Sequence, residues 1–372
     1  MTAATAPTGQ KTFEVARTEL GFDLSSLVLY LYQQVPGFIA PLRIEKFALG
    51  QSNPTFLLVD GREQKYVLRK KPAGALMSPT AHAVEREFKV LQGLGRASDV
   101  PVPRMYALCT DSTVIGTPFY IMQFVKGRIF PSPALPELPK AERRKYWQAA
   151  VDALARLHTT DIDAAGLGDY GSRSGYYQRQ LRTLLKVSDT QGAIKDAQGR
   201  AVGPMPGRDA LKSWFAANLP KDETTVIQGD FKFDNLVFHP DRPEVIAILD
   251  WELSTLGHPL SDLANLMMGA YLPAAVGANT PGGGYKGEEH ALGLPTRREV
   301  LDMYAKSVGR PPIANFSFFA AFVFFKFSVI AQGIRARMYR GQASSKNAAA
   351  ASTLFEVCAR IALEIAKGES KL

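Results

Sequence analysis

Apolar positions along this chain follow two periods, and the change of period divides it. Leu24, Leu27, Leu29, Leu31 and Tyr32 predict a helix capped by Asp23 and stopped near Pro36-Gly37. Short alternating runs then follow at Ile44 to Phe47, Thr55 to Val59 and Lys65 to Arg69. Gly50 to Asn53 and Asp60-Gly61 separate them as turns, and Asp60-Gly61 between apolar runs is a hairpin signal. Ser78-Pro79 has the form of a helix start, a hydroxyl cap followed by a residue with no N–H to lose. Val84, Phe88, Leu91 and Leu94 continue that helix. Strands are expected around Val114 and Ile115 and from Phe119 to Phe124, ending at Lys126-Gly127. The first third therefore reads as a small antiparallel sheet with one inserted helix.

Beyond Gly127 the period is mainly helical. Tyr146, Ala150, Leu154 and Leu157 share one stripe between Ala141 and His158. Ser188 to Gly207 is polar and reads as a surface excursion. A compact β patch interrupts the helices at Val226-Ile227, Leu236 to Phe238 and Val245 to Leu249, with a turn at Pro240 to Pro243. Ala274 to Pro295 is Gly-rich and reads as a long loop able to act as a lid. Helices resume at Thr296 to Val308. Phe316 to Ala331 is apolar but short for a membrane span and contains Lys326, so it reads as a buried helix.

Composition narrows the class. The chain has 372 residues, 46% hydrophobic and 21% charged, which is globular. Its 2 cysteines, Cys109 and Cys358, exclude a disulfide scaffold, and 5 scattered histidines argue against a metal cluster. The N-terminal residues lack the apolar core of a signal peptide and read as a tail over 1–22, so a cytoplasmic protein is expected. Lysine and arginine exceed acidic residues, 44 − 35 = +9. That excess fits a nucleic acid or membrane partner, an anionic small molecule, or plain surface solvation. The basic residues form no long cluster, which weakens nucleic acid.

The informative stretch is Val226 to Glu252. A strand leads to Asp230, Asn235 follows five residues later, and a hairpin delivers Asp250. Phosphoryl transfer from a nucleotide needs a carboxylate to orient and deprotonate an attacking hydroxyl. It also needs hard oxygens to hold Mg²⁺ on the phosphates. Asp230 suits the first role and Asn235 with Asp250 the second. Either Asp alone would be an ordinary turn former, and it is the order of elements that argues for chemistry. The first third supplies a matching half. Arg69 on a strand can meet the α/β-phosphates and Glu87 on the following helix can pair with it. Lys70 and Lys71 are rivals for Arg69, and Glu85 for Glu87. Gly50, Gln51, Ser52 and Asn53 can cover phosphates with backbone N–H groups. Gln123 and Val125 sit where the sheet hands over to the helical part and can bond adenine through the main chain.

Those residues resemble a known group. Gln228-Gly229-Asp230 through Asn235, with Ile248-Leu249-Asp250-Trp251-Glu252, resembles the aminoglycoside phosphotransferase and choline-kinase-like superfamily. GQSNPTFLL at Gly50 to Leu58, YVLRKKPAG at Tyr66 to Gly74, VEREFKVL at Val84 to Leu91 and LDWELSTLGHPLSDLANLM at Leu249 to Met267 are similar to one branch. That branch is the phosphotransferase domain associated with acyl-CoA dehydrogenases of the family member ten and eleven type. The resemblance implies an α+β, protein-kinase-like bilobal fold: a small sheet lobe with one helix over 23–126 and a larger helical lobe over 127–372. It also implies ATP and Mg²⁺, with Asp230 catalytic, Asn235 and Asp250 on the metal, and Arg69 with Glu87 at the phosphates. Asp262 matches a further, structural Asp of the family. Gln228 stands where the family usually has His, and can hydrogen-bond in its place.

The resemblance further implies a hydroxyacyl-CoA acceptor and association with an acyl-CoA dehydrogenase. Arg335, Arg337 and Arg340 could meet CoA phosphates, although a solvated basic helix end is the plainer reading. Two other functions stay open: a catalytically weak nucleotide-binding partner of a dehydrogenase, and an aminoglycoside kinase. The positive balance speaks modestly against a polycationic acceptor.

Overall fold

The computed structural model describes residues 4–5, 11–14, 20–47, 53–72, 83–277, 283–342 and 348–368. The chain divides into two compact units. The first comprises Met1–Phe130, Thr160–Tyr170 and Asp234–Ser254, and the second Pro131–Thr159, Gly171–Phe233 and Thr255–Leu372.

The first unit is built on a seven-stranded antiparallel sheet of order β1-β2-β3-β4-β5-β7-β6. Its strands are β1 (Ala4–Thr5), β2 (Lys11–Glu14), β3 (Arg43–Phe47), β4 (Thr55–Val59), β5 (Lys65–Lys70), β6 (Met105–Cys109) and β7 (Phe119–Gln123). Three helices accompany it: α1 (Leu24–Gln34), α2 (Val84–Ala97) and the single turn α3 (Ser112–Ile115). Asp23 caps α1 as expected, accepting from the backbone N–H of Ser25 and Ser26 at 3.2 and 2.8 Å. The middle of the sheet buries both faces because β4 and β5 carry apolar residues at both parities. Phe56, Leu58, Tyr66, Leu68, Phe119 and Ile121 pack with Leu27 and Leu31 of α1. Phe47, Leu57, Val59 and Val67 form a second cluster from the opposite parity. α2 packs on β6 and β7.

Two boundaries differ from the sequence expectation. Val114 and Ile115 lie in α3 and not in a strand. Asp111 accepts from the Thr113 N–H at 2.9 Å, and Gly116 in the left-handed region ends the turn, so capping decides against the β-branched residues. The strand is instead β6, whose apolar run the Pro101-Val102-Pro103 segment precedes. α2 starts at Val84 with no side-chain cap, and Ser78-Pro79 lies outside the described residues.

A short hairpin of β9 (Leu236–Phe238) and β10 (Val245–Ile248) also belongs to this unit. The expected single β patch is therefore two pairs. The other pair, β8 (Thr225–Ile227) with β11 (Thr255–Gly257), lies in the second unit.

The second unit is otherwise helical. It contains α4 (Lys140–His158), α5 (Tyr176–Gly192), α6 (Arg208–Ala217), α7 (Leu260–Leu266), α8 (Ala274–Gly277), α9 (Glu289–Leu292), α10 (Arg297–Ser307), α11 (Ser317–Tyr339), α12 (Ala348–Ser352) and α13 (Leu354–Ala366). α5 runs to Gly192 with Ser188 buried, so the polar excursion begins later than its composition suggests. The loop expected over 274–295 carries the one-turn helices α8 and α9, and Tyr285 within it is 1% exposed. α11 is the one described helix long and apolar enough to cross a membrane, and 72% of that stretch is buried inside the protein. Its partners explain this. Phe318 and Phe322 meet the Phe215 ring of α6 edge-on, Phe325 meets it at a tilt, and Tyr177 of α5 packs on Phe318 and Phe322.

Candidate active site

In the second unit, the loop after β8 alternates buried and accessible residues. Phe231 and Phe233 are buried at 0% and 2% exposure, with Phe233 on the Trp147 ring, while Asp230 and Lys232 are partly exposed and paired at 3.1 Å. Aromatic anchors on alternate residues thus present Asp230 outward. The backbone before it is held by side chains. Asp262 of α7, fully buried, accepts from the N–H of Gln228 and of Gly229 at 2.7 and 2.8 Å. Gln228 Oε1 accepts the Asp230 N–H at 2.8 Å, so the Gln that departs from the family pattern does supply a hydrogen bond to the loop. The Gly229 carbonyl accepts from Lys326 Nζ at 2.7 Å and from Asn265 Nδ2 at 3.2 Å. Gly229 has φ +90°, open to glycine at no steric cost. His158 Nε2 lies 3.6 Å from Asp262.

In the first unit, the β9–β10 ladder pairs Leu236 with Ile248, and the next rung is the Leu249 N–H donating to the Asn235 carbonyl at 2.8 Å. Asn235 and Asp250 therefore leave the same end of one ladder. Asp250 has φ +58°, a left-handed backbone that a non-glycine residue adopts only when its surroundings enforce it. Arg69 Nη2 lies 3.1 Å from Asp250 and 3.3 Å from Glu252, and its Nε is 3.2 Å from Glu87. Of the sequence rivals, Lys70 points to the opposite face and lies over the Phe22 ring at 4.9 Å, where burial lowers its pKa. Lys71 pairs with Glu85 at 2.7 Å, a second and more exposed pair.

Glu87 is 2% exposed and also accepts from Asn53 Nδ2 and the Tyr120 hydroxyl, each at 2.9 Å. Burial raises its pKa above the ordinary carboxylate value, although Arg69 and the Tyr120 bond pull the other way. Burial disfavours the Arg69 charge, yet Tyr120, Glu87, Asp250 and Glu252 together hold its pKa above the ordinary value. The pair is fixed by Asn53 and Tyr120 on the Glu87 carboxylate and by Asp250 and Glu252 on the Arg69 guanidinium. The side chain of Asn53, a residue whose backbone the sequence expectation sets at phosphate, braces Glu87. Gly50, Gln51 and Ser52 lie outside the described residues. Gln123 is exposed, but its N–H donates to the Arg104 carbonyl at 2.8 Å, and Val125 is partly buried. Sequence reasoning missed Tyr120, Glu252, Asn265 and the role of Lys326. For Lys326 the signal was present, since a lone ammonium in an apolar helix needs a polar partner.

The donor set at Asn235 and Asp250 fits Mg²⁺: one amide and one carboxylate oxygen, hard ligands at one ladder end, with phosphate and water left to complete the shell. No cluster of three His, Cys, Asp or Glu side chains able to hold a metal occurs among the described residues, which excludes a wholly protein-built cage there.

A model of the phosphotransferase enzyme family matches residues 43–300. The chain belongs to that family. This phosphotransferase is 40% identical over 353 residues to the rat protein named acyl-CoA dehydrogenase family member 11, covering 93% of this chain and 43% of the relative. It is 39% identical to human acyl-CoA dehydrogenase family member 11, covering 97% of this chain and 45% of the relative. The chain thus spans less than half the length of these curated relatives. Among solved structures, one from Ralstonia eutropha JMP134, provisionally named an aminoglycoside phosphotransferase, is 38% identical with TM-score 0.81, covering 93% of this chain and 99% of that one. A thermostable mutant of the aminoglycoside phosphotransferase APH(4)-Ia, solved with AMP-PNP and hygromycin B, shares the fold at TM-score 0.55 and 16% identity, covering 90% of this chain and 98% of that one. The α+β, protein-kinase-like fold expected from sequence is the fold observed.

Proposed function

We propose that this phosphotransferase moves the γ-phosphate of ATP to the hydroxyl of a small molecule, with Asp230 as the base. One observation carries the reading: Arg69, expected at the phosphates, and Asp250, expected at the metal, meet at 3.1 Å although 181 residues separate them in sequence. A phosphate-binding cation beside a metal-binding carboxylate is what nucleotide chemistry requires. Asp230 orients the acceptor hydroxyl and takes its proton as the acceptor oxygen bonds to phosphorus and ADP leaves. Arg69, held by Glu87, positions the α/β-phosphates. Asn235 and Asp250 hold Mg²⁺, which when bound neutralises charge on the phosphates.

For the acceptor, a hydroxyacyl-CoA is proposed, and association with an acyl-CoA dehydrogenase is proposed with it. The names of the relatives support both. Arg335 does not serve this reading, because it pairs with Glu356 and donates to the Ser352 carbonyl at 2.9 Å. Arg337 and Arg340 are exposed. The test is phosphate transfer from ATP across hydroxyacyl-CoAs differing in hydroxyl position, with and without Mg²⁺. Transfer to at least one, abolished by EDTA and restored by Mg²⁺, is expected. ATP binding with no turnover on any hydroxyl would make the protein a nucleotide-binding partner module, and transfer only to aminoglycosides would overturn the acceptor class.

A further inference from the structure

The carboxylates that meet the Arg69 guanidinium come from two elements of the first unit. Glu87 lies on α2, 3.2 Å away, while Asp250 and Glu252 lie on the turn after β10, at 3.1 and 3.3 Å. Arg69 can keep one direction toward a phosphate only if α2 and that turn keep their separation.

Tyr170, in the segment Thr160–Tyr170 of the same unit, joins the two elements. It is buried, at 2% exposure. On the helix side its partner is Arg86, the neighbour of Glu87. The Arg86 guanidinium covers the Tyr170 ring at 4.3 Å, and its Nη2 donates to the Tyr170 carbonyl at 2.9 Å. On the turn side, the Tyr170 hydroxyl lies 2.8 Å from Ser254 Oγ, and Ser254 Oγ donates to the Trp251 carbonyl at 2.5 Å. Trp251 stands between Asp250 and Glu252, and its indole N–H donates to the Ile248 carbonyl at 2.9 Å. Each hydroxyl has one proton to give. Ser254 gives its own to Trp251, so Tyr170 donates to Ser254, and the Arg86 carbonyl at 3.3 Å takes at most a share of that proton. The ring and carbonyl of Tyr170 thus hold α2, and its hydroxyl holds the turn.

We propose that Tyr170 is a positioning residue of the nucleotide site: it fixes α2 to the turn that carries Asp250 and Glu252, and so sets the direction of Arg69 toward the α/β-phosphates. The role toward nucleotide rests on the phosphotransfer reading, while the tie between helix and turn is present without it. A tyrosine that only filled the core would act through its ring, and loss of its hydroxyl would leave ATP affinity unchanged.

The test uses the full chain with Tyr170→Phe, Ser254→Ala and both together. Hydrogen exchange is followed without nucleotide, and ATP binding by isothermal titration in Mg²⁺. Amides of both α2 and the 249–254 turn are expected to exchange faster in each variant. ATP is expected to bind about three- to tenfold more weakly, the worth of about one hydrogen bond, and the double variant no more weakly than either single one. Lys89→Ala serves as the comparison. It cuts an exposed 2.6 Å pair between α2 and Asp169 of the same segment, does not touch the turn, and is expected to leave ATP affinity unchanged. Parent-like ATP affinity in Tyr170→Phe, faster exchange confined to one of the two elements, additive losses in the double variant, or an equal loss in Lys89→Ala would overturn the proposal. If exchange rises in both elements while the parent itself binds no ATP, the phosphotransfer reading fails and the tie of α2 to the turn stands.

Discussion

Asp262 shows how one buried carboxylate fixes a loop it does not chemically join. It spends both oxygens on the N–H groups of Gln228 and Gly229, and no water competes for them at 0% exposure. Asp262→Asn keeps one such bond and turns an amide donor onto the other N–H. A loss of about 2–4 kcal/mol is expected, read from urea unfolding with unchanged slope. An unchanged midpoint would show that the two bonds do not hold the loop. Residues of this kind set the limit of sequence reading. The places of Asp230, Asn235, Asp250, Arg69 and Glu87 were legible because each sits at a recognisable point on a strand, hairpin or helix, and the Arg69–Glu87 pair expected from them is present. Asn53 and Tyr120 were not, because their roles come from meeting Glu87 across gaps of 34 and 33 residues. Lys70 and Lys71 could be told from Arg69 only partly by strand parity. The Phe22 ring and Glu85 complete the distinction.

At the scale of elements, the placement of α2 governs the Arg69–Glu87 pair, and glycine governs the placement of α2. A Cβ on Gly93 would lie 2.4 Å from the carbonyl oxygen of Ala165, a backbone atom that cannot swing aside. Gly95 offers a built-in comparison, since its Cβ would make an ordinary 3.5 Å contact with Val102. Gly95→Ala is expected to stabilise by about 0.5–1 kcal/mol through helix propensity. Gly93→Ala gains the same propensity and still destabilises by about 1–3 kcal/mol, because the helix must shift. Paired thermal melts check this, and equal effects would mean that α2 is not tightly seated. α1 was readable from its period and its Asp23 cap and α4 from its apolar stripe, while Thr296 with Glu299 forms a full capping box on α10. α3 was not readable from apolar content, because a cap outweighed two β-branched residues. β11 was missed because Thr255–Gly257 is too short to show alternation and forms only by pairing with β8.

At the scale of the whole molecule, the surplus of nine positive charges no longer calls for a nucleic acid. Arg69, Lys71, Arg208 and Arg335 each meet a carboxylate of the protein itself. With the chain placed in the phosphotransferase family, a nucleotide with a small oxygen-rich acceptor is the more economical partner. The sheet unit carries Arg69, Glu87, Asn235 and Asp250, and the helical unit carries Asp230. Sequence order placed Asn235 and Asp250 with the helical part, and their hairpin falls in the compact unit of the sheet, where the Ile248 N–H donates to the Pro101 carbonyl at 2.8 Å. The central claim is that Asp230 is the base of a phosphoryl transfer, and it is tested most directly by following labelled γ-phosphate from ATP to a hydroxyacyl-CoA with the parent protein and Asp230→Ala. The account predicts that the variant binds ATP within about threefold of the parent while kcat falls by about 10²–10⁴-fold. Transfer at an undiminished rate in Asp230→Ala would contradict it.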